Sequence, residues 1–530
     1  MKNIELVSLF YQILLRLDVS EIIVCAGARN APLVVGLDGY AFNVKSYFEE
    51  RSAGFYALGR IKATQKPVAI ITTSGTAVAE LLPSVVEAYY QGLPLIVVSA
   101  DRPKEYRGSG APQSIEQAGI FSQYVAQCYD WDVKTTKFEI DFARYAPLHF
   151  NLCFDEPLVD GNSLTLPPEV EPKINEVVSE GLHFTGHQYH EEFTTFKKSL
   201  IILGQLRDNE REATKQQLLK NQNYHYAETL SGLKGDPQLT HLQLNNLESV
   251  FTRLFDSHVF DSVIRIGGVP TLRFWRDLES KYKNIPVLNI SHLTFKGLAR
   301  HSFLADYSVL KYILAAIQYS ELDLYKLQIE LEAQKKLILL ENKNSEQALL
   351  WGLSQAMQNQ PVYIGNSLPI REWDLFAQGS FPIAYGNRGA NGIDGQISTY
   401  LGWAKQFEIS WAVFGDLTTL YDLSALGLNQ DHGIEKAKRI VVLNNKGGQI
   451  FKKVFNHEKF LNTHDLEFSG WAKIWGWDYV LIKNYDELQQ ILDISTKKTL
   501  KNFIIEIQTE QIASDTVWKK MDDVCKNITF

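Results

Sequence analysis

The sequence predicts an α/β protein built as three consecutive domains, each with a mainly parallel sheet flanked by helices. Three observations predict it. Strand-like apolar runs alternate with helix-like segments almost throughout, the pattern of crossover units. At 530 residues the chain exceeds what one hydrophobic core serves. Polar, charge-rich stretches near 170–197 and 318–346 divide the runs into three sets.

The first set, an expected domain over 1–175, holds Glu21–Cys25, Val68–Thr72 and Leu95–Ser99 as strands, with a helix over about Ala77–Tyr90 between the last two. The small residues from Ser52 to Gly59 read as a closely packing helix. The second set, over 185–330, holds Ser199–Leu203, Ser262–Ile266 and Val287–Ile290. The third, over 345–530, starts at Val362–Ile364 and ends at Phe503–Ile507. Within it, Ile409–Phe414 and Ile440–Leu443 are continuous apolar runs, as expected of parallel strands buried on both faces, and Leu420–Leu428 reads as a helix between them. The second polar stretch carries Glu, Lys, Leu and Gln with little Gly or Pro, so it reads as a helix leading into the last domain.

Composition narrows the class. The hydrophobic fraction of 45% and charged fraction of 22% are those of an ordinary globular protein. A formal net charge of −8 argues against nucleic acid as a partner. Cys25, Cys128, Cys153 and Cys525 lie far apart without a CxxC spacing, so neither a zinc site nor a disulfide framework is expected and a reducing cytoplasm fits. The N-terminus enters a helical pattern without a long apolar core, and no stretch reaches membrane-spanning length. A soluble, cytoplasmic protein is the expectation.

The clearest chemical signal is a pair of turns. Gly415-Asp416-Leu417 and Asn444-Asn445-Lys446-Gly447 each follow a buried strand, where open α/β sheets bind ligands. Magnesium takes hard oxygens in a near-octahedral shell and is usually held by one or two protein groups plus substrate phosphates. The Asp416 carboxylate, the Asn445 side-chain carbonyl and a backbone carbonyl at Gly447 offer the protein share, to Mg2+ or Mn2+. Either turn alone is common loop chemistry. Their separation by 29 residues, with a strand before each, points to a metal–diphosphate site. Nearer the N-terminus, Glu50 in Phe48-Glu49-Glu50-Arg51 reads by itself as a helix cap or solvated charge. Thr73-Ser74-Gly75-Thr76 joins a strand to a helix, either as an anion-binding start or as a connection.

Taken in order, these motifs resemble the thiamine-diphosphate-dependent enzymes. Within them the chain is most similar to the 2-succinyl-5-enolpyruvyl-6-hydroxy-3-cyclohexene-1-carboxylate synthase family of menaquinone (vitamin K2) biosynthesis. The resemblance rests on Gly27–Leu33, Phe48–Arg51, Thr73–Ala77, Ala100–Pro103, Gly365–Arg371, Asn387–Gly395, Gly415–Leu417 and Asn444–Phe451, with a looser match at Gly267–Arg273. It implies a thiamine-diphosphate-binding fold with pyrimidine-binding, central and diphosphate-binding domains. It also implies that Glu50 hydrogen-bonds N1′ of the cofactor's aminopyrimidine as the catalytic residue. Ile393 matches the wedge under the bent cofactor, and Ile450 and Phe451 match apolar contacts to its rings, although outside the motif these three read as core packing. Ser74, Ser367, Gly415, Leu417 and Thr418 match further cofactor contacts, beside Asp416, Asn445 and Gly447 at the metal.

The reaction implied is decarboxylation of 2-oxoglutarate and addition of the resulting succinic-semialdehyde carbanion to isochorismate, a carbon–carbon-bond-forming transferase reaction. The two substrates together carry four carboxylates, which arginine grips with paired hydrogen bonds. Arg29, Arg102, Arg371 and Arg388 match that task, Gln113 matches a polar contact, and Arg273 aligns loosely. The resemblance further implies a homodimer or tetramer with sites between subunits. One position departs from the family pattern: Ala28 stands where the family usually has Ser. The lost hydroxyl costs about 0.5–1.5 kcal/mol of substrate binding unless a neighbour such as Asn30 replaces it. Two rival functions are a related 2-oxo acid decarboxylase or acetohydroxyacid-synthase-like enzyme and a non-catalytic binding protein. The arginine set and Asn387–Gly395 oppose the first; Glu50, Asp416 and Asn445 oppose the second.

Overall fold

The computed structural model describes residues 1–159, 171–177, 193–319, 323–429, 436–455, 457–488, 490–491 and 501–528. The expected boundary near 175–185 and most of the polar stretch 170–197 lie outside the described residues. Three parallel sheets flanked by helices carry the chain, in agreement with the predicted class. By spatial contact the chain sorts into two compact units, described in turn.

The first unit comprises Met1–Ser179, Gly389–Gln406 and Leu420–Ile434. Its six-stranded sheet has the order β2-β1-β3-β4-β7-β5. The strands are β1 (Glu21–Val24), β2 (Asn43–Ser46), β3 (Val68–Thr72), β4 (Leu95–Asp101), β5 (Gln127–Trp131) and β7 (Leu148–Cys153). A separate pair joins β6 (Glu139–Phe142) and β8 (Lys173–Glu176). Every residue of β3, β4 and β7 is buried, because helices cover both faces of the sheet centre. The single helix expected over Ala77–Tyr90 is two, Thr76–Ala79 and Leu82–Gln91. Pro83 at the start of the second explains the break, since its missing N–H is harmless only in a first turn.

Helix Glu50–Thr64 packs on helix Gln396–Ala404 so closely that their backbones touch. A Cβ on Gly59 would collide with the Thr399 carbonyl oxygen, and one on Gly402 with the Tyr56 carbonyl oxygen. Arg60 clamps the same contact: it donates to the Gly402 carbonyl at 3.0 Å and pairs with both carboxylate oxygens of Glu21 at 2.6 and 2.7 Å. Helix propensity alone would favour Gly59→Ala by about 1 kcal/mol. The collision is with backbone that cannot rotate away, so the substitution is expected to destabilise the protein by a net 1–3 kcal/mol or so. Thermal denaturation tests this, and a raised melting temperature would sink it.

The second unit comprises Glu180–Arg388, Phe407–Thr419 and Glu435–Phe530 and holds two sheets. One has the order β10-β9-β11-β12-β13, from β9 (Ser199–Leu203), β10 (His225–Ala227), β11 (Ser262–Ile266), β12 (Val287–Ile290) and β13 (Phe303–Ala305). The other has the order β15-β14-β16-β17-β19-β18, from β14 (Val362–Ile364), β15 (Ala384–Tyr385), β16 (Ile409–Gly415), β17 (Ala437–Asn444), β18 (Asp478–Ile482) and β19 (Phe503–Gln508). The polar stretch before it contains the expected helix, Leu324–Glu341. The helix expected over Leu420–Leu428 instead starts at Asp416, runs to Tyr421, and passes into a 3-10 turn over Leu423–Asn429. No described helix is long and apolar enough to cross a membrane.

Candidate active site

In the first unit, the carboxyl ends of β1, β3 and β4 are neighbours, with Val24 opposite Ile71 and Thr72 opposite Ser99. The segments around Arg29, Ser74 and Arg102 leave the sheet from these ends. Glu50 opens the helix Glu50–Thr64, yet the cap is Glu49, whose carboxylate accepts from the Ser52 amide at 3.2 Å. Glu50 is therefore free of the capping role that a lone glutamate there suggests. It accepts instead from the Thr72 hydroxyl at 3.4 Å, and burial raises its pKa. A carboxyl so placed holds a proton more readily than a solvated one.

Ser74 is buried in the turn after β3, where Gly75 takes a φ of +87° and its amide donates to Gln117 at 3.1 Å. The backbone of Gln113 packs against that glycine, and Arg102 Nε donates to the Pro112 carbonyl at 3.1 Å. Ser74, Gln113 and Arg102 thus come together. Arg29 is buried, donates to the Phe154 carbonyl and lies 3.4 Å from Glu156. Asn30 does not replace the hydroxyl missing at Ala28: its oxygen accepts from the Gly27 amide at 2.8 Å and its nitrogen donates to the Cys25 carbonyl at 2.9 Å. Both ends are spent on the turn. Ile393 sits in the loop that precedes the helix Gln396–Ala404. That loop is held by Glu87, which accepts from the Gly389 and Ala390 amides, and by Gly395, where a Cβ would strike the Phe55 ring.

In the second unit, β16 and β17 pair so that Gly415 lies opposite Leu443, which delivers Asp416 and Asn444-Asn445 side by side. Asp416 is buried, and its two oxygens accept from the Leu417 amide at 2.6 Å and the Gly447 amide at 2.8 Å. Burial raises its pKa despite those donors. His464 Nε2 lies 3.3 Å away, a neighbour that no spacing in the sequence announces. Asn444 ties the strand end to Glu506 at 2.8 Å, whereas Asn445 donates to Glu346 at 2.9 Å and leaves its buried Oδ1 without a hydrogen-bond partner. An orphaned buried carbonyl beside a buried carboxylate suits a hard divalent cation. The donor set therefore fits Mg2+, with Gly447 at a φ of +133° turning the backbone past the site.

Ser367 precedes the helix Leu368–Phe376 and takes a φ of +73°, rare for a residue with a side chain. Its hydroxyl does not cap that helix. Thr418 is buried in the first turn of the helix that starts at Asp416, and Gly415 and Leu417 flank Asp416. Arg371 lies one turn beyond Ser367, and Arg388 donates to Asn366 at 2.7 Å. A cavity of about 660 Å³ is lined by Arg371, Arg273, Ile450 and Phe451, and by residues outside the motifs that include Arg276 and Glu248. Arg273 is the weakest of the expected set: its side chain is 72% exposed and pairs with Asp277 at 3.3 Å.

Comparison with known proteins agrees with this chemistry. Residues 4–120 match the family profile of the thiamine pyrophosphate enzyme N-terminal TPP binding domain. A protein of Bdellovibrio bacteriovorus named 2-succinyl-5-enolpyruvyl-6-hydroxy-3-cyclohexene-1-carboxylate synthase is 41% identical over 98% of this chain and 99% of its own length. The chain belongs to this synthase family. A synthase of the same name from Akkermansia muciniphila is 36% identical, covering 93% of this chain and 95% of its own. Benzoylformate decarboxylase from Polynucleobacter necessarius shares the fold, with a TM-score of 0.67 at 15% identity over 96% of this chain and 99% of that one. The expected synthase activity, its transferase class and its place in menaquinone biosynthesis follow from the family.

Proposed function

We propose that the chain decarboxylates 2-oxoglutarate and joins the remaining four-carbon unit to isochorismate, using thiamine diphosphate and Mg2+ or Mn2+. The observation that carries this reading is the Asp416, Asn445 and Gly447 cluster, whose buried, unpaired Asn445 oxygen suits a hard cation. When bound, thiamine diphosphate supplies the carbanion chemistry that releases CO2 and forms the new bond. Asp416, Asn445 and Gly447 hold the metal, and Ser367, Thr418 and the turn Gly415–Leu417 orient the diphosphate. Glu50 holds and returns a proton at the aminopyrimidine nitrogen, with Thr72 fixing its carboxyl. Ser74, Ile393, Ile450 and Phe451 shape the contact to the rings. Arg29, Arg102, Gln113, Arg371 and Arg388 bind substrate carboxylates, whereas Arg273, expected among them, is 72% exposed and paired with Asp277.

The division into domains over 1–175, 185–330 and 345–530, a homodimer or tetramer with shared sites, and a cytoplasmic location belong to the same reading. Incubating the protein with thiamine diphosphate, magnesium and 2-oxoglutarate, with and without isochorismate, tests it through CO2 and product. Turnover that prefers pyruvate would point to the decarboxylase or acetohydroxyacid-synthase-like alternative. Because Asn30 is committed to its turn, restoring the hydroxyl by Ala28→Ser is expected to lower a substrate KM by roughly 2- to 10-fold. An unchanged KM for both substrates would show that the hydroxyl is dispensable here.

A further inference from the structure

We propose that Arg276, which no family motif marks, binds a carboxylate of the cyclic substrate beside Arg371, in the position that the sequence assigns to Arg273. This rests on the substrate reading above. The two arginines line one cavity of about 660 Å³. Among the described residues neither guanidinium has a hydrogen-bond or ion-pair partner, whereas Arg273, on the same short helix and on the wall of the same cavity, is 72% exposed and paired with Asp277 at 3.3 Å. Burial, the Arg276 charge and the Arg388 charge, in that order, lower the pKa of Arg371. Cations gathered in this way repel one another unless an anion comes between them.

The surrounding structure holds both carriers in place. Glu228 accepts from the Thr271 amide and, at 2.6 Å, from its hydroxyl. Thr271 also donates to Asp374 at 3.3 Å, and Asp374 lies one turn after Arg371 on its helix. Glu248 takes the Arg273 amide and the Tyr226 hydroxyl. The segment carrying Arg276 is thereby tied to the helix carrying Arg371, as a two-point anion clamp requires. Ile450, Phe451, Phe455 and Trp518 add apolar surface to the same cavity. A cavity that offers both arginines and aromatic rings suits an unsaturated ring with carboxylates, and its volume of about 660 Å³ exceeds what a five-carbon acid fills. The isochorismate carboxylates are accordingly the ligand.

The test is steady-state kinetics of the holoenzyme with each substrate varied, for wild type, Arg276→Gln, Arg276→Lys and Arg273→Gln. Losing a charge-assisted contact made in both ground and transition states raises KM and spares kcat. Arg276→Gln is expected to raise the isochorismate KM on the order of 10- to 100-fold. Its 2-oxoglutarate KM and kcat should stay within about threefold, Arg276→Lys should recover part of the loss, and Arg273→Gln should change little. An active wild type with an isochorismate KM in Arg276→Gln within threefold of normal overturns the assignment alone. So does a larger effect at Arg273, or a loss that falls on 2-oxoglutarate. A wild type that makes no product from the two substrates overturns the substrate reading and this assignment with it.

Discussion

Glu50→Gln is expected to reduce turnover by about 10²- to 10⁴-fold while leaving cofactor binding and the melting temperature near those of wild type. The structure separates these effects because Glu49, not Glu50, caps the helix. The glutamine keeps an oxygen for the Thr72 hydroxyl at 3.4 Å, so the local contact survives and only the exchangeable proton is lost. Glu49→Ala should do the converse. It removes the acceptor for the Ser52 amide and for the Ser52 and Ser424 hydroxyls, at a cost of about 0.5–2 kcal/mol, and leaves a proton-carrying group at 50. Product formation, calorimetric cofactor titration and thermal melts on the two variants distinguish the roles. Full activity in Glu50→Gln would remove Glu50 from the mechanism.

Asp416→Asn is expected to weaken binding of the magnesium–thiamine diphosphate pair by on the order of 100-fold or more. Even groups that only support a metal ligand are worth 10–100-fold, and Asp416 supplies the anionic oxygens themselves. The asparagine retains an acceptor for the Leu417 or Gly447 amide, which limits damage to the turns. A ligand at about 100 times its dissociation constant stabilises a protein by about 2.7 kcal/mol, so cofactor plus magnesium should raise the wild-type melting temperature and barely move that of the variant. EDTA should abolish wild-type activity, and added Mg2+ should restore it. Wild-type affinity in Asp416→Asn, or activity indifferent to EDTA, would exclude this carboxylate as the clamp.

Much of the fold was legible because parallel strands buried on both faces are continuous apolar runs. Ser199–Leu203, Ser262–Ile266 and Val287–Ile290 have the expected limits. Strand β7 was hidden by His149 and Asn151, polar residues whose partners Ser99, Gln117 and Cys128 come from elsewhere in the sheet and its loops. Edge strand β2 was hidden because its Asn43–Ser46 run is largely exposed and polar. At the site, residue types within motifs could be named, but their commitments could not. Asn30 looked available and is consumed by the Gly27 turn, and Arg273 looked aimed at substrate and is 72% exposed. Arg276 carried no signal beyond being one helical turn from Arg273, since orientation on a five-residue helix depends on the Glu228 and Glu248 anchors behind it.

The glycine contact between Gly59 and Gly402 constrains more than stability. Glu50 precedes Gly59 by as many residues as Ile393 precedes Gly402. Each functional residue is thus indexed to the place where these two helix backbones meet without side chains between them. An insertion or deletion of one residue in either interval would rotate that helix by about 100° and bring a Cβ to the contact. Length changes there should be forbidden even where side-chain identity is free, so anyone transplanting Glu50 or Ile393 to another scaffold would have to move the paired helices as one part.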